Sequence, residues 1–354
     1  MPTVKKKSLG DESTNLWNQE LVEPASLEEY SEEIADTEKK IIFGESNSGK
    51  TQFYLGKIQY LKKKGVKPED FMMCIIFSDR PTGITKLLKT VPEEFRSRIF
   101  IFPINTYEEM VSATALGEKK LMEHFAKKKK HGTLVSELLE ESWKMSQDYY
   151  SRKAYGENLG DYFATKIEVI KEMMKDKGKA GKDSAYQAFT GFTDWTTIKY
   201  FHNFNWIDKI KRMPFNVIFT AEVKAEENKD SIFYQLGYRP AGEKDNMHRV
   251  DEIIHLTHQG NKFTIQPFKL TGFTRLYNKT DVTGKNAYEV HEKSKEKLEE
   301  LGFRSTVFEE LEQEAGVIPP KEPKKTSQKL PPKSEKQKEE EEETGEEEDA
   351  FFLE

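Results

Sequence analysis

The chain of 354 residues has one cysteine, Cys74. An internal disulfide is excluded, and a reducing compartment is the natural expectation. Cys74 lies in the apolar run Phe71–Phe77 and reads as a small buried hydrophobe rather than a reactive thiol. The seven histidines make no paired spacing with it, which speaks against a structural zinc site. No apolar stretch is long enough to span a bilayer. The lysines of Met1–Gly10 are followed by no apolar segment of the secretory kind. The expectation is a cytoplasmic protein that makes no use of a membrane. RNA-recognition, zinc-binding and helix-turn-helix signatures are also missing, so base-specific reading of nucleic acid is not expected.

What is present is unevenly spread. The apolar fraction is 36% and the charged fraction 33%, polar for a globular chain, so part of the length reads as tail. The net charge is −6, yet residues 335–354 alone hold eleven acidic side chains against two lysines; that segment is −9 and the remainder +3. Residues 1–38 form a polar arm. Residues 39–280 read as the folded domain, with an aromatic-rich helical insertion over about 141–212. Residues 281–317 read as charged helices, and 318–354 as a disordered Lys/Pro segment running into the acidic tail. The tail ends in Phe351, Phe352 and Leu353, a hydrophobic tip suited to a pocket on a protein partner.

Within the domain, continuous apolar runs at Ile41–Phe43, Phe71–Phe77, Ile99–Ile104 and Pro214–Ala221 read as buried strands of a parallel sheet. Thr133–Leu139 reads as a weaker one. Helical spacing between them (Phe53, Leu55, Ile58 and Leu61 after the first run) makes the fold class α/β, a mostly parallel sheet flanked by helices. Arg249–Thr257 and Lys262–Phe268 read as an antiparallel pair turning at Gln259–Asn261. Lys175–Asp183 reads as a soft break in the helical insertion.

The segment Gly44, Glu45, Ser46, Asn47, Ser48, Gly49, Lys50, Thr51 matches G-x-x-x-x-G-K-[ST] in full, between a buried strand and an amphipathic helix. The spacing has a chemical purpose. The loop must wrap a phosphate with its N–H groups inward, and the two glycines permit the turn and the close approach. Lys50 is placed to reach the β- and γ-phosphates, the Thr51 hydroxyl to ligate Mg2+, and the helix N-terminus to face the anion. The expected cofactors are ATP and Mg2+.

With this loop, the strand ending at Asp79, the segment around Trp143, Asp194–Trp195, Pro214–Glu222 and Arg239–Leu256, the chain resembles phage-type RecA-like P-loop ATPases over roughly residues 40–277. The resemblance implies a RecA-like fold and ATP hydrolysis during viral DNA recombination, annealing or a related step. It implies that Asp79 orients the attacking water and that Glu137, where the family favours Asp, is the Walker-B carboxylate near Mg2+. Glu137, Glu140 and Glu141 also fit the exposed face of a helix. Thr220 and Glu222 are implied as sensors of the γ-phosphate. Lys244 and Arg249, after the Pro240–Gly242 turn, are implied to act on a neighbour's nucleotide in a homo-oligomer. Lysine runs at Lys127–Lys130 and Lys175–Lys182 are expected to contact the phosphates of single-stranded DNA. Two other readings stand beside this one: a nucleotide-binding interaction protein with little turnover, and a small-molecule kinase, against which the scarcity of arginine counts.

Overall fold

In a computed structural model, residues 37–78, 81–127, 131–185 and 194–304 are described. The N-terminal arm, Asp79, the lysines at 128–130 and the acidic tail with Phe351–Leu353, all singled out from the sequence, lie outside them.

The apolar runs become strands: β1 (Lys39–Phe43), β2 (Phe71–Phe77), β3 (Ile99–Pro103), β4 (His131–Ser136) and β5 (Asn216–Ala221). The expected hairpin is present as β8 (Glu252–Gln259) and β9 (Lys262–Leu270), antiparallel to each other. A small ribbon, β6 (Val223–Ala225) with β7 (Tyr238–Pro240), and a short strand β10 (Thr280–Asp281) were not foreseen. Among the described residues the main sheet has eight strands in the order β10-β9-β8-β1-β5-β4-β2-β3, and the six from β8 to β3 run parallel.

Both faces of this sheet are covered, which explains why its strands read as unbroken apolar runs rather than alternating ones. Along β1, Ile41 and Phe43 join one core with Trp206, Phe215 and Phe219. Ile42, between them, joins the opposite core with Phe53, Tyr54 and Ile58. Those last three belong to α1 (Lys50–Lys63), the helix that follows β1 directly. After it come α2 (Pro81–Leu88), α3 (Tyr107–Ala126), α4 (Leu139–Tyr155) and α5 (Leu159–Ala185). A capping box starts α3: Thr106 accepts from the Glu109 N–H while the Glu109 side chain accepts from Thr106. Next, α6 (Asp194–Lys199) runs on as a π-helical stretch, Tyr200–Ile207. Trp195 on α6 stacks on Trp143 of α4, ring centroids 6.1 Å apart. The last helix among the described residues, α7 (Ala287–Glu300), packs beside α1.

One expectation is corrected. The lysine- and glycine-rich segment Lys175–Lys182 is not a loop but part of α5. Two interior glycines cost a helix about 1 kcal/mol each, and the lysines and alanine around them are good helix formers that offset it.

A second unforeseen feature is a buried ionic cluster at the start of β1. Glu252, 3% exposed, accepts from Lys40 at 2.8 Å, His291 at 2.8 Å and Lys295 at 2.6 Å. Lys40 also pairs with Glu38 and Glu292. Burial opposes charge on Lys40, but Glu252, Glu292 and Glu38 hold it protonated well above the usual lysine range. The cluster fastens α7 to β1 and β8. Breaking such a pair costs more than its presence gains, because a lone buried charge remains.

Candidate functional site

The site begins where β1 ends. The chain leaves Phe43 at Gly44, whose N–H donates to the Ala221 carbonyl at 3.2 Å. A Cβ at position 44 would lie 2.0 Å from the Leu256 carbonyl oxygen and 2.6 Å from Ser48 Oγ, so only glycine fits. The loop then bends back through two left-handed residues, Asn47 (φ 63°) and Gly49 (φ 96°). No side chain caps α1 at Gly49. The N–H groups of its first turn are therefore left for whatever lies above the loop. Ser48 Oγ is buried with no hydrogen-bond partner.

Above the loop is a cavity of about 410 Å³ lined by Ser46 to Gln52, with Glu137, Thr220 and Glu222 on its far wall. That size suits a small ligand. The Lys50 ammonium donates to the carbonyls of Gly44 (2.7 Å) and Glu45 (3.0 Å) and to Glu222 Oε1 (2.8 Å). Thr51 Oγ1 and the Tyr54 hydroxyl both donate to Glu137 Oε1, each at 2.8 Å. Burial, and then the Glu137 charge, push the Tyr54 phenol well above its usual range, so it remains a donor.

The far wall depends on strand order. Because β5 lies between β1 and β4, the ends of three strands converge on the loop. Glu137 follows β4 directly and is 6% exposed. The exposed-helix alternative for it is thereby removed, since α4 begins only at Leu139. Between them Leu138 takes a left-handed backbone (φ 64°), and its N–H donates to Thr220 Oγ1 at 3.0 Å. This kink turns Glu137 inward before the helix starts. Ser78, at the end of β2, donates to the Glu137 carbonyl at 3.0 Å.

Of the residues singled out from sequence, Gly44 to Thr51, Glu137, Thr220 and Glu222 come together here. Lys244 and Arg249 do not line this cavity. Lys244 lines a separate one beside the β6–β7 ribbon, and Arg249 is paired with Asp208. Two site residues were missed. Tyr54 stands three residues after Thr51, hence on the same helix face, a spacing that was legible. Glu140 accepts from the Glu222 N–H at 3.2 Å, and burial raises its carboxyl pKa. No sequence signal pointed to it.

A hydroxyl and a carboxylate held 2.8 Å apart are hard oxygen donors of the kind Mg2+ takes. Among the described residues no three His, Cys, Asp or Glu gather as a metal cage. Mg2+ bound with phosphate and water needs none, because few of its ligands come from protein. No helix among the described residues is long and apolar enough to cross a membrane. The chain matches no known protein family model, and no curated protein is similar to it.

Proposed function

We propose that this chain is a RecA-like P-loop ATPase that binds ATP with Mg2+ and works on DNA, in recombination, annealing or another viral DNA-processing step. The observation that carries the nucleotide reading is the phosphate loop itself. A glycine-bounded turn, an uncapped helix start, an unpartnered buried Ser48 hydroxyl and the Lys50 ammonium all face one cavity. A triphosphate satisfies each of them.

The residues have distinct roles in this reading. Lys50 and the loop N–H groups bind and orient the β- and γ-phosphates. Thr51 and Glu137 hold Mg2+, which when bound neutralises phosphate charge as the γ-group transfers. Tyr54 fixes the Glu137 carboxylate by donating to it. Thr220 ties Leu138 to the end of β5, so the two far-wall strands keep their spacing. Asp79, following Ser78 at the end of β2, is the proposed water-orienting group. Lys244 and Arg249 are proposed to act on a neighbouring copy's nucleotide. The DNA half of the proposal rests on the resemblance and on the lysine-rich segments.

The test is phosphate release measured with and without single-stranded DNA. Turnover that rises with DNA supports the proposal. Transfer of phosphate to a small acceptor would instead identify a kinase. Tight ATP binding without turnover would identify a nucleotide-dependent interaction protein.

A further inference from the structure

The phosphate cavity continues past the loop. A second cavity of about 400 Å³ adjoins it, and Ser48, Gly49, Gln52 and Phe263 line both. The two differ in the strands that complete them. Glu137 and Thr220 follow from β4 and β5 on one side, while Leu256, Phe263 and Val282 belong to the β8–β9–β10 side. A triphosphate whose terminal phosphate points at Glu137 therefore has its other end directed at this second space.

Resting on the nucleotide reading above, we propose that this second cavity is the nucleoside subsite, with the base against Phe263 and the ribose beside Gln52. The lining fits a neutral heterocycle. Among the described residues that line it there is no carboxylate; the polar side chains are chiefly amides and hydroxyls, and Lys285 is the one cation. Leu256 and Val282 supply apolar surface, and the half-buried Phe263 ring is backed by His258, stacked at 5.8 Å. Aromatic faces hold any base by stacking, and amides match the donors and acceptors at its edge.

The subsite is also pre-formed. Asn286 donates to the Gly56 carbonyl at 2.8 Å and accepts from the first N–H groups of α7, which locks α7 to α1. A Cβ at Gly56 would lie 2.4 Å from Asn286 Oδ1, so the close approach requires glycine. On the facing wall, Phe263 donates its N–H to Thr283 Oγ1 at 2.9 Å and accepts from the Val282 N–H at 2.9 Å. With its main chain fixed by these bonds and its ring stacked on His258, Phe263 loses little freedom on binding.

The experiment compares ATP with inorganic tripolyphosphate, each with Mg2+, by calorimetry on the full chain. Phe263→Ala is expected to weaken ATP about 10-fold through lost stacking and to leave tripolyphosphate unchanged, with Phe263→Tyr restoring ATP. Gln52→Ala, an exposed change that spares the core, is expected to show the same selectivity in milder form. Equal loss for both ligands, or ATP affinity unmoved in both alanine variants, overturns the subsite. Lys50→Ala separates this from the parent reading. If that variant still binds both ligands normally, the phosphate site itself is wrong; if it loses both while Phe263→Ala and Gln52→Ala lose neither, only the nucleoside subsite falls.

Discussion

Lys50 and Glu222, 172 positions apart, form an ion pair at 2.8 Å over the Gly44–Thr51 loop. Glu222 stands one residue past β5, at the root of the β6–β7 ribbon. With the Gly44 and Glu45 carbonyls it completes the partners of the ammonium. On the proposed reading, a bound phosphate would have to take Lys50 from a carboxylate that repels it, and Glu222 would set part of the cost of entry.

Replacing Glu222 with Gln is expected to tighten nucleotide binding. The carboxylate is a third exposed, so the pair is worth at most about 1 kcal/mol. The gain should be several-fold, read by calorimetry with ATP. Weaker binding would mean that Glu222 helps hold the ligand rather than competing with it.

Lys50→Ala is expected to lower ATP affinity about 10- to 100-fold, the worth of a hydrogen bond to a charged group. Fluorescent-nucleotide titration measures this. Unchanged affinity would remove the phosphate-loop assignment.

Glu137→Gln should retain ATP binding and lose turnover about 100-fold or more, as should Asp79→Ala. Glu137→Ala should in addition destabilise the fold by about 1–3 kcal/mol, because the buried Tyr54 hydroxyl loses its acceptor. Steady-state phosphate release and urea denaturation read the two effects separately.

Acid should loosen α7. Burial alone would raise the Glu292 carboxyl, but Lys40, His291 and Lys295 bring it from its usual 4.5 down to about 2. Glu252 is held well below its ordinary value in the same way. A carboxylate whose folded pKa is depressed contributes stability above its unfolded value and loses it as pH falls towards the folded one. Unfolding free energy should therefore decline between about pH 4.5 and 2. Glu252→Gln should cost about 1–3 kcal/mol at neutral pH, because Lys40 and Lys295 lose their shared buried partner and keep only Glu38 and Glu292. Denaturant titrations across that range, comparing wild type with Glu252→Gln, check both.

The sequence by itself determined the glycine-bounded turn at Gly44–Thr51 and the α/β layering, because both are local. Glycine spacing dictates which backbone angles Gly44 to Lys50 can take, and an unbroken apolar run such as Phe71–Phe77 demands burial on both faces. Hydroxyl and ammonium positions at Thr51 and Lys50 follow from the first turn of one helix. Tertiary structure decided which distant residues meet them. Glu137 rather than Glu140 or Glu141 reaches Thr51 because Leu138 breaks the backbone between strand and helix, and because β5 spaces β4 from β1. The Glu252 cluster was invisible for the same reason. Its members stand up to 257 positions apart, and single charged residues carry no periodicity that announces a partner. Strand order, not composition, brings them to one end of β1.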